Sequence, residues 1–161
     1  MIKSIFAVDT KGGIGKDGSL PWPKNTEDMK WFRWNTMGHV VVMGANTWFD
    51  PMMPKPLPGR TNVVVSNQEL MMPEVIRLSG DFIPMLYQIE DDFPTKHLFI
   101  IGGKQIIEQT AHIVDEIVLT RFDTDYECDV IINIDSMLEQ FELIESHQME
   151  TATYEIWKRI I

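Results

Sequence analysis

Asp28 is the residue best placed to do chemistry. It sits in Asn25-Thr26-Glu27-Asp28, which reads as a helix start with a side-chain oxygen cap and acids in the first turn. Trp31 and Phe32 follow at the spacing that shares a helix face, and Trp22 precedes in a loop. A carboxylate aimed into such an apolar wall would have a raised pKa and would bind or move a proton. A second reading is that Asp28 only complements the helix dipole in water. Spacing alone leaves both open.

Several glycine turns could cradle phosphate. Gly13-Ile14-Gly15-Lys16-Asp17-Gly18 matches G-x-G-x-x-G after a strand, but Pro21 and Pro23 forbid the helix that a dinucleotide fingerprint requires. A glycine-rich, mobile loop is expected there instead, either a lid or a connection. Ile100-Ile101-Gly102-Gly103 stands between a buried strand and a helix start. It would allow close backbone approach and leave N–H groups free for phosphate, or it is a plain tight turn. Gly44-Ala45-Asn46-Thr47 repeats that logic, and two such turns suit a ligand with more than one phosphate, such as a dinucleotide. Arg60, after Leu57-Pro58-Gly59, is either held for a carboxylate or solvated.

Other candidates carry less. Asp123, Asp125, Glu127 and Asp129 have calcium-loop spacing, but Cys128 and Ile134 occupy the positions of the turn glycine and bidentate glutamate. A solvated acidic loop is expected. His39, His97, His112 and His147 show no metal spacing, so no metal is expected. The 11 methionines read mostly as core filler, with Met52 and Met53 able to line a flat aromatic pocket.

Buried-looking strands are expected at residues 2–8, 39–43, 62–66, 96–101 and 116–122, with a short one at 74–78. Helices are expected at 26–37, 44–49, 81–89 and 104–111, with Phe82, Met85, Leu86 and Ile89 on one face of the third. Residues 50–60 are a proline-rich loop. Residues 141–147 and 153–161 read as an antiparallel pair. The fold class is α/β, a single domain over 1–161 with a mostly parallel central sheet and flanking helices.

Bulk properties narrow the function classes. The chain has 161 residues, 44% hydrophobic, and a formal net charge of -10. That charge argues against nucleic acid and anionic membrane as partners. One cysteine, Cys128, excludes an internal disulfide and fits a reducing cytoplasm. No signal segment and no membrane-spanning run is expected.

The ordered motifs closely resemble the dihydrofolate reductase family. They are Ala7-Val8-Asp9, Gly13-Ile14-Gly15, Leu20-Pro21-Trp22, Asp28 to Phe32, Val42-Met43-Gly44 with Thr47-Trp48, Leu57 to Arg60, Ile100 to Gly103 and Leu119-Thr120. The resemblance implies reduction of 7,8-dihydrofolate to tetrahydrofolate by NADPH, with hydride to pterin C6 and a proton to N5. It implies a monomer that also binds antifolates. Asp28 would bind the pterin edge and favour protonation, Thr120 would hydrogen-bond to Asp28, and Trp22 would hold a nearby water. Phe32, Met53, Leu57 and the backbone at Ile5, Phe6 and Ile101 would wall the pocket, and Arg60 would grip the substrate's α-carboxylate.

For the cofactor, the resemblance points to Ala7, the lid residues Gly13, Ile14, Gly15, Ser19 and Leu20, and the turn Gly44, Ala45, Asn46 and Thr47. It adds Val65, Ser66 and Asn67, and the second turn from Ile101, Gly102 and Gly103 to Lys104, Gln105 and Ile106. The Gly102–Gly103 bond would be cis. Ala45, Asn67 and Gln105 depart from the family's usual cofactor-binding residues, and Lys104 is the cation able to compensate.

Overall fold

The structure is a computed structural model that describes residues Met1–Ile161. In chain order the strands are β1 (Ile2–Val8), β2 (Gly13–Gly15), β3 (Val40–Gly44), β4 (Thr61–Val65), β5 (Ile76–Leu78), β6 (Leu98–Gly102), β7 (Glu116–Phe122), β8 (Val130–Ile131), β9 (Phe141–Gln148) and β10 (Ala152–Arg159). The helices are α1 (Thr26–Thr36), α2 (Ala45–Trp48), α3 (Ile83–Asp92), α4 (Lys104–Thr110) and α5 (Ile134–Leu138).

Eight strands form one sheet in the order β5-β4-β3-β6-β1-β7-β10-β9. The first six are parallel, and β10 runs antiparallel to both β7 and β9. The centre is parallel because its strands are apolar on both faces. Val40, Val41, Val42 and Met43 are all fully buried. Val40 and Val42 join the cluster under α3 and α4, with Leu86, Ile106 and Ile107. Val41 and Met43 point the other way, to Trp48 of α2 and Phe32 of α1. The sheet is therefore covered on both faces by helices, and the carboxyl ends of its parallel strands are left to the loops.

Four expectations needed correction. Residues 13–19 are not a free loop: β2 pairs with β8, and an isolated bridge joins Lys16 to Ser19. Asp17 and Gly18 both have positive φ, 52° and 81°, as a tight hairpin turn requires. Second, β8 and α5 lie just after the expected acidic loop, in a stretch for which no element was expected. Third, α3 starts at Ile83 and runs to Asp92, ending before Pro94, and Met85 faces solvent at 42% exposure. Fourth, the methionines are mostly not core. Only Met43 is buried, and seven of them are exposed.

Candidate active site

Asp28 is placed by two devices. The Asn25 side chain caps α1 and accepts from the Asp28 N–H at 3.0 Å. The Thr120 hydroxyl of β7 then donates to Asp28 Oδ1 at 3.0 Å. That bond is the only one the Asp28 carboxylate accepts from the chain. Strand register puts Ala7 of β1 and Tyr154 of β10 level with Thr120. Burial raises the Asp28 pKa above its ordinary 3.8; the Thr120 bond opposes this, and the Glu27 charge adds to it.

The surroundings are apolar. Ile5, Phe99 and Val118 form a buried patch against which Trp31, Phe32 and Ile101 pack. Leu57 is buried, and Met53, Phe32 and Ile101 pack on its cluster. Trp22 lies 4.7 Å from the Phe122 ring and 6.0 Å from Tyr126. Phe6 is half-buried on the far side of β1, against the α3–α4 cluster.

Arg60 is held without being paired. Its Nε donates to Pro58 O at 2.9 Å and its Nη1 to Thr36 Oγ1 at 3.1 Å. The guanidinium lies 6.0 Å from the Phe32 ring centre. None of the six ion pairs uses it. A fixed, half-buried guanidinium beside Phe32 with no carboxylate partner is suited to an external one.

The two glycine turns meet because β3 and β6 are neighbours. A side chain on Gly44 would start 3.8 Å from both Gly102 O and Gly103 N, and on Gly102 3.6 Å from Thr47 Oγ1. Gly44 and Gly103 are the N-caps of α2 and α4, and neither helix has a side-chain cap. Bare backbone amides, Thr47 and two glycines thus face one groove, with a donor set that fits a pyrophosphate. The Gly102–Gly103 bond is cis. Asn46, Lys104 and Gln105 are exposed beside this groove, Ala45 is half-buried, and Ile106 is core. At the end of β4, Val65 is half-buried and Asn67 exposed, while Ser66 spends its hydroxyl on Gln68 N and O.

The lid is tied at three points. Asp17 N donates to Asp129 Oδ2 at 2.9 Å, and Asp129 N to Gly15 O at 3.0 Å. Ser19 Oγ donates to Asp50 Oδ2 at 3.0 Å. Ile14 packs on the core, and Leu20 is 64% exposed at the lid's end. At the base, Gly13 has no room for a side chain beside Cys128. The buried Asp9 carboxylate accepts from Lys11 N, Gly13 N, Tyr126 N and the Cys128 thiol, at 2.8–3.3 Å. Burial, and then the Asp9 carboxylate, push the Cys128 thiol up to about 11, so it is a packing group. An open cavity of about 600 Å3 lies behind this base, lined in part by Lys11, Lys104, Glu108 and Arg121, and does not include Asp28.

Sequence reasoning gave no role of their own to Asp9, Glu27, Asp50 and Tyr154, and read Asp129 as part of a solvated acidic loop, whereas it ties residues 15–17. Asp9 alone had a usable signal, since an Asp before Lys11-Gly12-Gly13 is an Asx-turn pattern. No group of three or more His, Cys, Asp or Glu side chains is arranged to hold a metal. No helix is long and apolar enough to cross a membrane.

A family model described as dihydrofolate reductase matches residues 1–158. A protein of Mycoplasmoides gallisepticum named segregation and condensation protein A is 33% identical over 99% of this chain, which spans 26% of that protein's length. Dihydrofolate reductase type 8 of Escherichia coli is 31% identical over 93% of this chain and 92% of its own. Among solved structures, dihydrofolate reductase from Enterococcus faecalis complexed with NADP(H) and RAB-propyl superposes with a TM-score of 0.81. It is 23% identical and covers 100% of this chain and 97% of its own, which shows a shared fold.

Proposed function

We propose a division of labour among these residues for a chain that belongs to the dihydrofolate reductase family. The chain reduces 7,8-dihydrofolate to tetrahydrofolate. NADPH supplies the hydride, which goes to pterin C6, and the proton goes to N5. Asp28 binds the amino edge of the pterin and favours its protonated form, and Thr120 fixes the carboxylate's orientation. Trp22 closes the wall beside it. Ile5, Phe32, Met53, Leu57 and Ile101 exclude water from the ring, Phe6 offers it only backbone because its side chain packs on the other face of the sheet, and Arg60 takes the α-carboxylate of the substrate's tail.

Gly44 to Thr47 and Gly102 to Ile106 hold the cofactor's phosphates and adenosine, with Val65, Ser66 and Asn67 at its outer end. Ala7 and the lid from Gly13 to Leu20 cover its reactive end. Lys104, exposed beside the groove, is the cation available where Ala45 and Gln105 offer none. The protein works as a cytoplasmic monomer, and its substrate pocket accepts antifolates.

The observation that carries this proposal is a carboxylate with a single hydroxyl donor, set in an apolar wall next to two converging glycine turns. The test is NADPH oxidation with dihydrofolate at neutral pH. Asp28→Asn is expected to fold and to lose activity about a hundredfold or more, with partial recovery on lowering the pH as the substrate protonates itself. Full activity at neutral pH would overturn the role of Asp28.

A further inference from the structure

Beside Asp28 stands a second carboxylate. Glu27 is its neighbour in the first turn of α1, and its Oε1 accepts from the Tyr154 hydroxyl at 3.4 Å. Tyr154 is 2% exposed, and its ring lies tilted against Trp31 with centres 4.8 Å apart. Its backbone is in register with Thr120, the donor to Asp28. The phenol therefore comes from the strand next to Thr120 and holds the partly buried Glu27 beside the turn that carries Asp28. Resting on the assignment of Asp28 above, we propose that Glu27, held by Tyr154, is a positioning residue that extends to higher pH the range over which Asp28 keeps its proton.

The strands beside Asp28 bring it no charge. β1 contributes Ile5 and Ala7, which carry no charge. β7 contributes Thr120, and its next residue, Arg121, alternates to the other side to meet Glu155 at 2.8 Å. β10 contributes Tyr154, and Trp22 packs with Trp31 on the cluster that Tyr154 belongs to. Glu27 is the one charge among these groups that bears on Asp28. Two carboxylates on one helical turn repel, so the Glu27 charge disfavours the ionised form of Asp28. Burial and both carboxylates also hold the Tyr154 phenol in its protonated, donating form.

The mechanism gives Glu27 no contact with substrate, so its removal should move a pH profile and not abolish turnover. The experiment is a carboxyl-carbon NMR titration of Asp28 in the ligand-free enzyme, run beside the pH profile of kcat/KM. Glu27→Gln is expected to move both midpoints down by about half a pH unit. Glu27→Asp, which keeps the charge, should restore most of the shift. Tyr154→Phe should give a smaller downward shift, because Glu27 then turns to water. An Asp28 titration unchanged in Glu27→Gln would overturn the proposal. A kcat/KM limb that keeps the parent's midpoint and height in Asp28→Asn would overturn the role of Asp28 instead, and the NMR midpoint would still decide on Glu27.

Discussion

Asp9 and Asp28 are both aspartates withdrawn from solvent: Asp9 follows the end of β1, and Asp28, in the first turn of α1, is bonded to Thr120 of the neighbouring strand β7. Asp9 is 3% exposed and accepts four hydrogen bonds, two on each oxygen. Asp28 accepts one. Burial alone would raise the pKa of either. At Asp9, three backbone amides and the Cys128 thiol overcome burial and bring the pKa below 3.8. At Asp28 burial prevails, and the pKa is raised. The number of donors thus separates a carboxylate that holds structure from one whose proton is available for chemistry.

The largest effect expected from breaking this contrast is at Asp9. An amide there can accept on one side only, and its NH2 must face two donors on the other. Asp9→Asn should lower stability by about 3 kcal/mol, read from urea unfolding at neutral pH. Because the folded pKa of Asp9 is depressed, its contribution is present above 3.8 and is lost as pH falls through the folded value. The stability deficit of Asp9→Asn relative to the parent chain should therefore shrink in acid. A deficit that stays constant to low pH would contradict the charged role.

Arg60 offers the next contrast, a fixed cation with no internal partner. Arg60→Leu is expected to raise KM for dihydrofolate by about tenfold or more with kcat nearly unchanged, since a tail contact is equal in ground and transition states. A loss confined to kcat would show that Arg60 serves the ring and not the tail. The smallest effect is expected at the lid's outer tie. Asp50→Ala removes the acceptor of Ser19 and should speed release of oxidised cofactor by about two- to fivefold, measured by stopped-flow displacement. No change would mean that the Asp129 ties alone hold the lid closed.

How much was legible from sequence differs between these regions for physical reasons. β1 and β7 were expected at 2–8 and 116–122 and run over those residues, because each is an apolar run bounded by polar or glycine breakers. Asp28 stood out because a cap and an aromatic pair mark it locally. Its partner Thr120 and the Glu27–Tyr154 contact depend on strand register, which no local pattern carries. The lid was misread as free because β2 pairs with β8 from a distant part of the chain, and both strands are too short to show a period. The methionines were misplaced because an apolar, flexible side chain is as acceptable on loops such as 71–72 as in the core.

The contrast between the two aspartates is tested most directly by unfolding Asp28→Asn beside Asp9→Asn without ligand at neutral pH. Because the folded pKa of Asp28 is raised, its ionised form costs the fold stability above that pKa, and the cost disappears below 3.8. The neutral amide removes the cost. Asp28→Asn is therefore expected to unfold at a higher denaturant concentration than the parent chain, and Asp9→Asn at a lower one. Destabilisation of both variants would contradict the claim that donor count sets these two carboxylates apart.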